Sequence, residues 1–156
     1  MIKRHFIAFA ALGLTLFGLG GCRKEPPLPE GRVISLYFSG NQMRDYYGYH
    51  LREQDGQILF DARCNRFRNE FQEINLENAI AAPEDLETLR ALCEAHGFAE
   101  KLRTYREPKP GPFVADGSSV HFDVTWEDGT RLYAGTVFDG EQALRDFFEA
   151  LAIRLG

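Results

Sequence analysis

Two Asp-Gly dipeptides, Asp55-Gly56 and Asp128-Gly129, constrain the fold of this chain more than any other feature. Each stands between two runs rich in β-branched and aromatic residues, and Asp-Gly favours the two-residue turn that joins antiparallel strands. The four flanking strands are predicted over Asp45–Glu53, Gln57–Cys64, Val120–Glu127 and Arg131–Phe138. The sequence therefore predicts two antiparallel hairpins that use the same turn chemistry.

Alternation within these strands predicts which side chains face the core. Successive side chains of a strand point to opposite faces, so residues of one class at every second position share a face. The apolar faces are Ile58, Phe60, Ala62 and Cys64 in one strand and Phe122, Val124 and Trp126 in another. A strand over Val33–Phe38 precedes the first hairpin, and a weaker one is predicted within Phe71–Leu76.

Two amphipathic helices complete the predicted fold, over Pro83–His96 and Gly140–Leu155. Proline suits the first turn of the former, and Asp139 with Gln142 resembles a capping box that opens the latter. A long loop rich in proline and glycine is predicted over Thr104–Ser119. We therefore expect an α+β fold, with an antiparallel sheet of about five strands and two helices packed on one face.

An apolar run of 14 residues, Phe6–Leu19, follows Lys3 and Arg4 and ends at Leu19-Gly20-Gly21-Cys22. The run is shorter than the roughly 20 residues of a membrane-spanning helix, and the segment resembles a bacterial lipoprotein signal with its lipobox. The resemblance implies cleavage before Cys22 and acylation of that residue, which would anchor the chain in a lipid bilayer. The alternatives are an ordinary secretory signal cut elsewhere and an uncleaved anchor.

The chain then divides into a signal peptide over 1–21, a tether over 22–31 with the lipidated Cys22, and one α+β domain over 32–156. The tether carries three prolines and is expected to be extended. The chain has 18 Lys and Arg residues against 23 Asp and Glu residues, and the signal holds two of the basic ones, so the mature net charge is −7. Such an acidic chain is a poor candidate for binding nucleic acid.

The globular part resembles a group of small uncharacterised bacterial exported proteins. The motifs that carry this resemblance are Tyr46-Tyr47-Gly48-Tyr49, Asp116-Gly117-Ser118, Trp126-Glu127-Asp128-Gly129-Thr130 and Ala134-Gly135. They are turn and core residues, so the resemblance implies a shared fold and assigns no catalytic residue.

Two cysteines remain after Cys22 is lipidated, Cys64 and Cys93, and both are predicted to face inward. An exported pair can form a disulfide, or the two residues can stay separate buried thiols. Sequence alone leaves both alternatives open, because a disulfide requires a specific separation of the two Cα atoms.

The sequence contains no catalytic signature, and no cofactor or metal is predicted. His121 and Asp123 share the polar face of one strand, and with His50 they could belong to a metal-dependent or hydrolytic envelope enzyme. The simpler interpretation is that they are solvated polar residues, because a divalent site needs three or four convergent ligands.

The leading prediction is a non-enzymatic interaction module of the cell envelope. It would sit in the cell membrane or the outer membrane, with its domain facing the periplasm or the exterior. The partner would be an envelope protein or polymer, and a purely structural lipoprotein is the further alternative. The residues predicted to bind it are Tyr46, Tyr47, Tyr49, His50, Arg106 and Lys109. Against this surface stands the ordinary preference of aromatic residues for strands.

Overall fold

The computed structural model describes residues 25–42, 45–65, 73–106, 119–135 and 139–156. They form a six-stranded antiparallel sheet with three helices, so the predicted α+β class is confirmed. The strands are β1 Val33–Gln42, β2 Asp45–Gln54, β3 Gln57–Cys64, β4 Ile74–Ala81, β5 Ser119–Trp126 and β6 Arg131–Ala134. The helices are α1 Pro83–Ala95, α2 Phe98–Thr104 and α3 Glu141–Leu155.

The strand order is β4-β3-β2-β1-β5-β6, so the first four strands form a meander and β1 lies at the centre of the sheet. Strand β5 returns to pair with the free side of β1, with Phe38 opposite Phe122. Both edges are weak templates for further strands, since β6 has only four residues and β4 is bulged near Asn78, whose φ is 51°.

The two Asp-Gly turns differ in geometry. Asp55 and Gly56 both have positive φ, of 52° and 76°, which is the type I′ geometry of a two-residue hairpin. In the second turn only Gly129 has positive φ, and the loop spans 127–130. There the Asp128 carboxylate accepts hydrogen bonds from the backbone of Glu30 and of Thr130. The turn is therefore longer than the dipeptide predicts, because Asp128 is bound by the chain around it.

All three helices lie on one face of the sheet and form what we call the helix layer. The core between the two layers is aromatic at its centre, where the Phe148 ring of α3 lies 5.3 Å from Tyr49 and 6.0 Å from Phe60. Phe38 of β1 stacks on Phe122 of β5, with 5.0 Å between their ring centroids. All five of these side chains are at most 1% exposed, as the alternation of the strands predicts.

Several boundaries differ from those predicted. Helix α2 occupies residues at which no helix was predicted, and β4 extends five residues beyond Leu76. The capping box of α3 is absent, because its N-cap is Gly140 with φ of 101° and no side-chain hydrogen bond. An added Cβ there would lie 2.6 Å from the His96 ring, so the helix start needs glycine for both backbone and space. No helix among the described residues is long and apolar enough to span a membrane.

The described part of the tether is packed on the domain instead of standing free. Glu25 pairs with Arg103 in the last turn of α2 and with Arg106 just after it, and Arg32, which follows the tether, pairs with Glu127 beside the second Asp-Gly turn. The tether therefore has fixed contacts at both of its described ends. The signal peptide and Cys22 lie outside the described residues.

Candidate functional site

The face of the sheet opposite the helix layer, here called the open face, is covered by none of the described elements. Six strands at roughly 4.8 Å spacing make it about 24 Å wide, and six to seven residues make it about 20 Å long. Three tyrosines on this face have large exposed fractions, Tyr37 at 42%, Tyr46 at 36% and Tyr133 at 67%. The open face is thus a candidate binding surface that presents three exposed tyrosines.

A row of side chains crosses the open face at the level of Tyr37. Tyr37 lies opposite His50 on one side and Asp123 on the other, and the row continues to Asp61 in β3 and Tyr133 in β6. The rings of Tyr37 and His50 meet edge to face at 6.1 Å. Aromatic rings at the centre and at one edge are therefore combined with charged residues between them.

The open face carries no side chain at Gly48, whose neighbours in the adjacent strands are the small Ser39 and the exposed Arg63. An added Cβ at Gly48 would be 3.5 Å from the Tyr37 hydroxyl and 3.9 Å from Ser39 Cβ, which are ordinary contacts. The Tyr37 hydroxyl therefore lies beside the position at which Gly48 lacks a side chain.

A polar network formed by Ser35, His50, Arg52, Asp61 and Asn78 joins β1, β2, β3 and β4 on this face. The Arg52 guanidinium donates to Asp61 Oδ2 at 2.5 Å and to Asn78 Oδ1 at 2.6 Å. The Asn78 backbone N–H donates to the other Asp61 oxygen at 2.7 Å, so Asp61 also stabilises the bulge of β4. The side chain of Arg52 is only 18% exposed, so this network is a fixed part of the surface.

Ser35, His50 and Asp61 have the residue types of a hydrolase triad, but their hydrogen bonds run in the wrong direction. His50 Nε2 is 2.8 Å from Ser35 Oγ, and His50 Nδ1 is 3.3 Å from an Arg52 nitrogen and 3.8 Å from Asp61. A guanidinium can only donate, so neutral His50 accepts at Nδ1 and donates from Nε2 to the serine. The imidazole cannot then accept the serine proton, as a general base must.

Burial, and after it the charge of Arg52, lowers the pKa of His50 below its usual 6.5. The neutral imidazole is therefore the form present at pH 7, which agrees with the hydrogen bonds it makes. The arrangement lacks an activated nucleophile, and Ser35 stands inside a strand whose register pairs it with Arg52 and Thr125. We conclude that this set of residues is structural.

The predicted group His50, His121 and Asp123 does not converge. His50 and Asp123 lie on strands separated by β1, about 9.6 Å apart across the sheet, with Tyr37 between them. The Asp123 carboxylate is bound by the Arg131 guanidinium, with Nε donating to Oδ1 at 2.7 Å. Within the described ranges, no three His, Cys, Asp or Glu residues are grouped closely enough to hold a metal ion.

The sheet divides the predicted binding residues between its two faces. Tyr46 and His50 lie on the open face, whereas Tyr47 and Tyr49 point into the helix layer. Tyr49 is 1% exposed and packs against Phe148, so its inclusion in a binding surface was wrong. Burial raises the pKa of Tyr49 well above its usual value.

Tyr47 is held under α3 by its hydroxyl and its ring. Its hydroxyl accepts a hydrogen bond from Arg145 at 2.8 Å, and that guanidinium lies over the ring at 4.4 Å. Burial raises the pKa of Tyr47 to about 12. An added Cβ at Gly40 would be 2.2 Å from the Tyr47 hydroxyl, so the ring lies across β1 only because residue 40 is glycine. Tyr47 is therefore a packing residue.

The remaining predicted residues lie away from the open face or outside the described chain. Arg106 follows α2 on the helix side of the sheet and pairs with Glu25, with 3.6 Å between charged atoms. Lys109 and Cys22 belong to segments that are not described. Of the six residues predicted to bind, the open face therefore holds Tyr46 and His50, and the role of Lys109 stays a prediction.

Cys64 and Cys93 are separate buried thiols in the structure, which is one of the two alternatives that the sequence left open. Cys64 pairs in register with Tyr47, which itself lies opposite Gly40. Cys93 lines a cleft with Val33, seven residues along β1 from Gly40, which is about 23 Å. A disulfide needs Cα atoms within about 7 Å. Burial raises the pKa of Cys93 to about 12, so this thiol is unreactive at neutral pH.

Residues missed by the sequence analysis complete the open face, namely Tyr37, Tyr133, Arg52 and Asp61. Tyr37 stood in a predicted strand, and its alternation with Leu36 and Phe38 already placed it outside the core. The register between strands, which joins these four residues, has no local signal in the sequence. No family model, curated protein or solved structure matches this chain.

Proposed function

We propose that this protein is a membrane-anchored lipoprotein of the bacterial envelope whose open face binds a partner protein without catalysis. The observation that carries this proposal is the uncovered sheet face with its exposed tyrosines, Tyr37, Tyr46 and Tyr133. Tyrosine is enriched where proteins bind one another, because a rigid ring buries much area and its hydroxyl still forms hydrogen bonds.

The size and shape of the face favour a protein over a small molecule. A face of about 24 by 20 Å approaches the roughly 800 Å² that each partner contributes to a standard interface. Two clefts of the described residues, of about 510 and 420 Å³, are lined by Arg32 and Arg90 near the Asp-Gly turns and not by these tyrosines. Small ligands favour concave sites, whereas a flat surface suits a macromolecule.

The charges of the open face also suit a protein partner. Arg52 is neutralised by Asp61, and Arg131 by Asp123, so the face presents balanced pairs instead of a field of one sign. A strongly anionic polymer would favour unpaired cations, and most described arginines of this face are paired. Affinity would then come from the tyrosines and specificity from the charges around them.

The test compares capture by matched variants of the lipidated protein. Proteins cross-linked to the native form in membranes are identified and quantified by mass spectrometry against Tyr37→Ala with Tyr133→Ala. Exposed apolar residues outside the face supply the control, Leu28→Ala with Ile153→Ala. Loss of two of the three exposed tyrosines of the face should reduce capture of a specific partner by about 30-fold or more, and the control pair should keep it within about threefold.

Equal capture by both variant pairs would contradict the open face as the binding surface. Intact mass tests the anchor separately, because native Cys22 should carry the diacylglyceryl group and the Cys22→Ser variant should lack that mass. An unlipidated Cys22 would contradict the proposed anchoring even where the partner is captured.

A further inference from the structure

The tether lies along the helix side of the domain from one end of the sheet to the other. Just after the C-terminal end of the tether, the Arg32 carbonyl accepts a hydrogen bond from the Glu127 backbone N–H. The Arg32 guanidinium also pairs with the Glu127 carboxylate at 2.9 Å. The Glu30 N–H donates to Asp128 at 2.7 Å. Gly31, at φ of 83°, passes so close to Glu127 that an added Cβ would be 2.8 Å from its carboxylate. This end of the tether is therefore fixed beside the two Asp-Gly turns, at what we call the turn end of the sheet.

The other end of the tether is held by a clamp of three residues, Glu25, Arg103 and Arg106. Arg103 Nη1 donates to Glu25 Oε2 at 2.6 Å, and Arg106 Nη2 lies 3.6 Å from Glu25 Oε1. Glu100 pairs with the other side of Arg103 at 2.6 Å and orients its guanidinium. The side chain of Arg103 is only 19% exposed, so the clamp is better ordered than an ordinary surface ion pair.

The clamp lies at the opposite end of the sheet from the turns. A Cβ added at Gly135 would lie 3.3 Å from the hydroxyl of Tyr105, the residue before Arg106, and 3.5 Å from His121 Nδ1. The clamp is thus level with His121 at the start of β5, whereas Arg32 contacts Glu127 just after its end. Six residues of strand separate these levels, which is about 20 Å.

We infer that the clamp sets how the domain stands on the membrane, with the C-terminal end of α2 against the bilayer and the turn end pointing away. This inference rests on the lipidation of Cys22 proposed above. Cys22 precedes Glu25 by three residues, which span at most about 11 Å even when fully extended. An acyl anchor on Cys22 is therefore confined to the neighbourhood of Arg103 and Arg106, and the open face, on the other side of the sheet from α2, is left clear of the bilayer.

Charges are paired at both ends, so the reach of the tether decides the orientation. At the clamp end Lys101 lies 3.8 Å from Asp139, and Glu25 lies between Arg103 and Arg106. At the turn end Arg32 lies between Glu87 and Glu127.

The experiment measures the distance of single fluorophores from the headgroups. The lipidated protein, with Thr104→Cys near the clamp or Gln57→Cys at the turn end, is labelled and reconstituted into phosphatidylethanolamine and phosphatidylglycerol vesicles that contain a headgroup quencher. Cys64 and Cys93 are at most 5% exposed and should not be labelled. Quenching at residue 104 should be at least about twofold stronger than quenching at residue 57, because the two ends of the sheet are about 20 Å apart.

Removal of the clamp gives the decisive comparison. Arg103→Gln with Arg106→Gln should bring the ratio of quenching at residues 104 and 57 close to one, because the tether can then swing. The control pair Arg131→Gln with Arg154→Gln removes two exposed ion pairs elsewhere and should keep the ratio.

Equal quenching at both positions, or a ratio that survives loss of the clamp, would overturn the inference provided that intact mass shows the acyl chains on Cys22. If that mass is absent, the proposed anchoring fails, and the orientation fails with it.

Discussion

The two faces of the sheet are built from the same six strands and differ in almost every physical property. The covered face places Phe38, Tyr49 and Phe60 against Phe148 of α3 and Phe122 against Phe98 of α2, and all six are at most 1% exposed. The open face carries tyrosines and paired charges at the alternate positions. Each strand therefore stabilises the fold on one side and supplies surface chemistry on the other, so a one-residue change of position reverses the expected effect of a substitution.

Truncation of a large side chain should give the widest difference between the faces. Phe148→Ala removes a ring that touches Phe38, Tyr49 and Phe60, and should lower the free energy of unfolding by about 3–5 kcal/mol. Tyr133→Ala on the open face should change it by less than about 0.5 kcal/mol. Equilibrium urea unfolding followed by circular dichroism measures both, and losses of similar size would mean that the open face is covered in solution.

Two glycines in neighbouring strands, one on each face of the sheet, give a sharper version of the same comparison. Gly40→Ala on the covered face places a methyl group within 2.2 Å of the Tyr47 hydroxyl, which Arg145 holds in place, and should cost about 1–3 kcal/mol. Gly48→Ala meets nothing closer than 3.5 Å on the open face and should be neutral or stabilise by up to about 1 kcal/mol.

The same unfolding experiment compares the two glycine variants. The double variant Gly40→Ala with Tyr47→Ala should be no less stable than Tyr47→Ala alone, because it removes all three atoms nearest the new methyl group. A further loss from Gly40→Ala in the absence of the ring would place the strain in the backbone of β1 instead of at Tyr47.

The smallest expected effect is the response of the open-face network to pH. The pKa of His50 is lowered in the folded state, so between that value and about 6.5 the unfolded chain binds more protons than the folded one. The free energy of unfolding should then fall as pH is lowered from about 6.5, by less than about 1.4 kcal/mol per pH unit.

The control for this pH dependence is another histidine of the open face. His50→Gln should remove most of the slope between pH 6.5 and 5, and His121→Gln should retain it. Equal slopes in the two variants, measured by urea unfolding at each pH, would show that His50 is not the group that titrates.

Local sequence patterns predicted most strands and helices, but they did not predict how these elements pack against one another. The alternation of Ile58, Phe60 and Ala62 and the apolar stripe of α3 correctly indicated buried faces. Alternation also separates Tyr46 from Tyr47, but it does not say which of the two faces receives the helices. That choice depends on packing between distant segments, and it removed Tyr49 from the predicted binding surface.

The other differences have equally local reasons. Helix α2 has seven residues, too few for a periodic apolar pattern to stand out from a loop. The clamp at Glu25 joins residues 78 positions apart, and a segment rich in proline and charge gives no local sign that it packs on the domain. Fold class was therefore predictable here, whereas the network and the clamp required the register and the layer arrangement.

The position of β1 at the centre of the sheet has a consequence for how the chain is synthesised. Its two neighbours are β2, which follows at once, and β5, whose residues pair with it across separations of up to 93 positions, as between Val33 and Trp126. The N-terminal meander can form early, but one side of β1 stays without a partner until Ser119–Trp126 has emerged. Strand pairing across so long a separation slows folding. Until it forms, the unpaired side of β1 can associate with other chains unless a chaperone covers it.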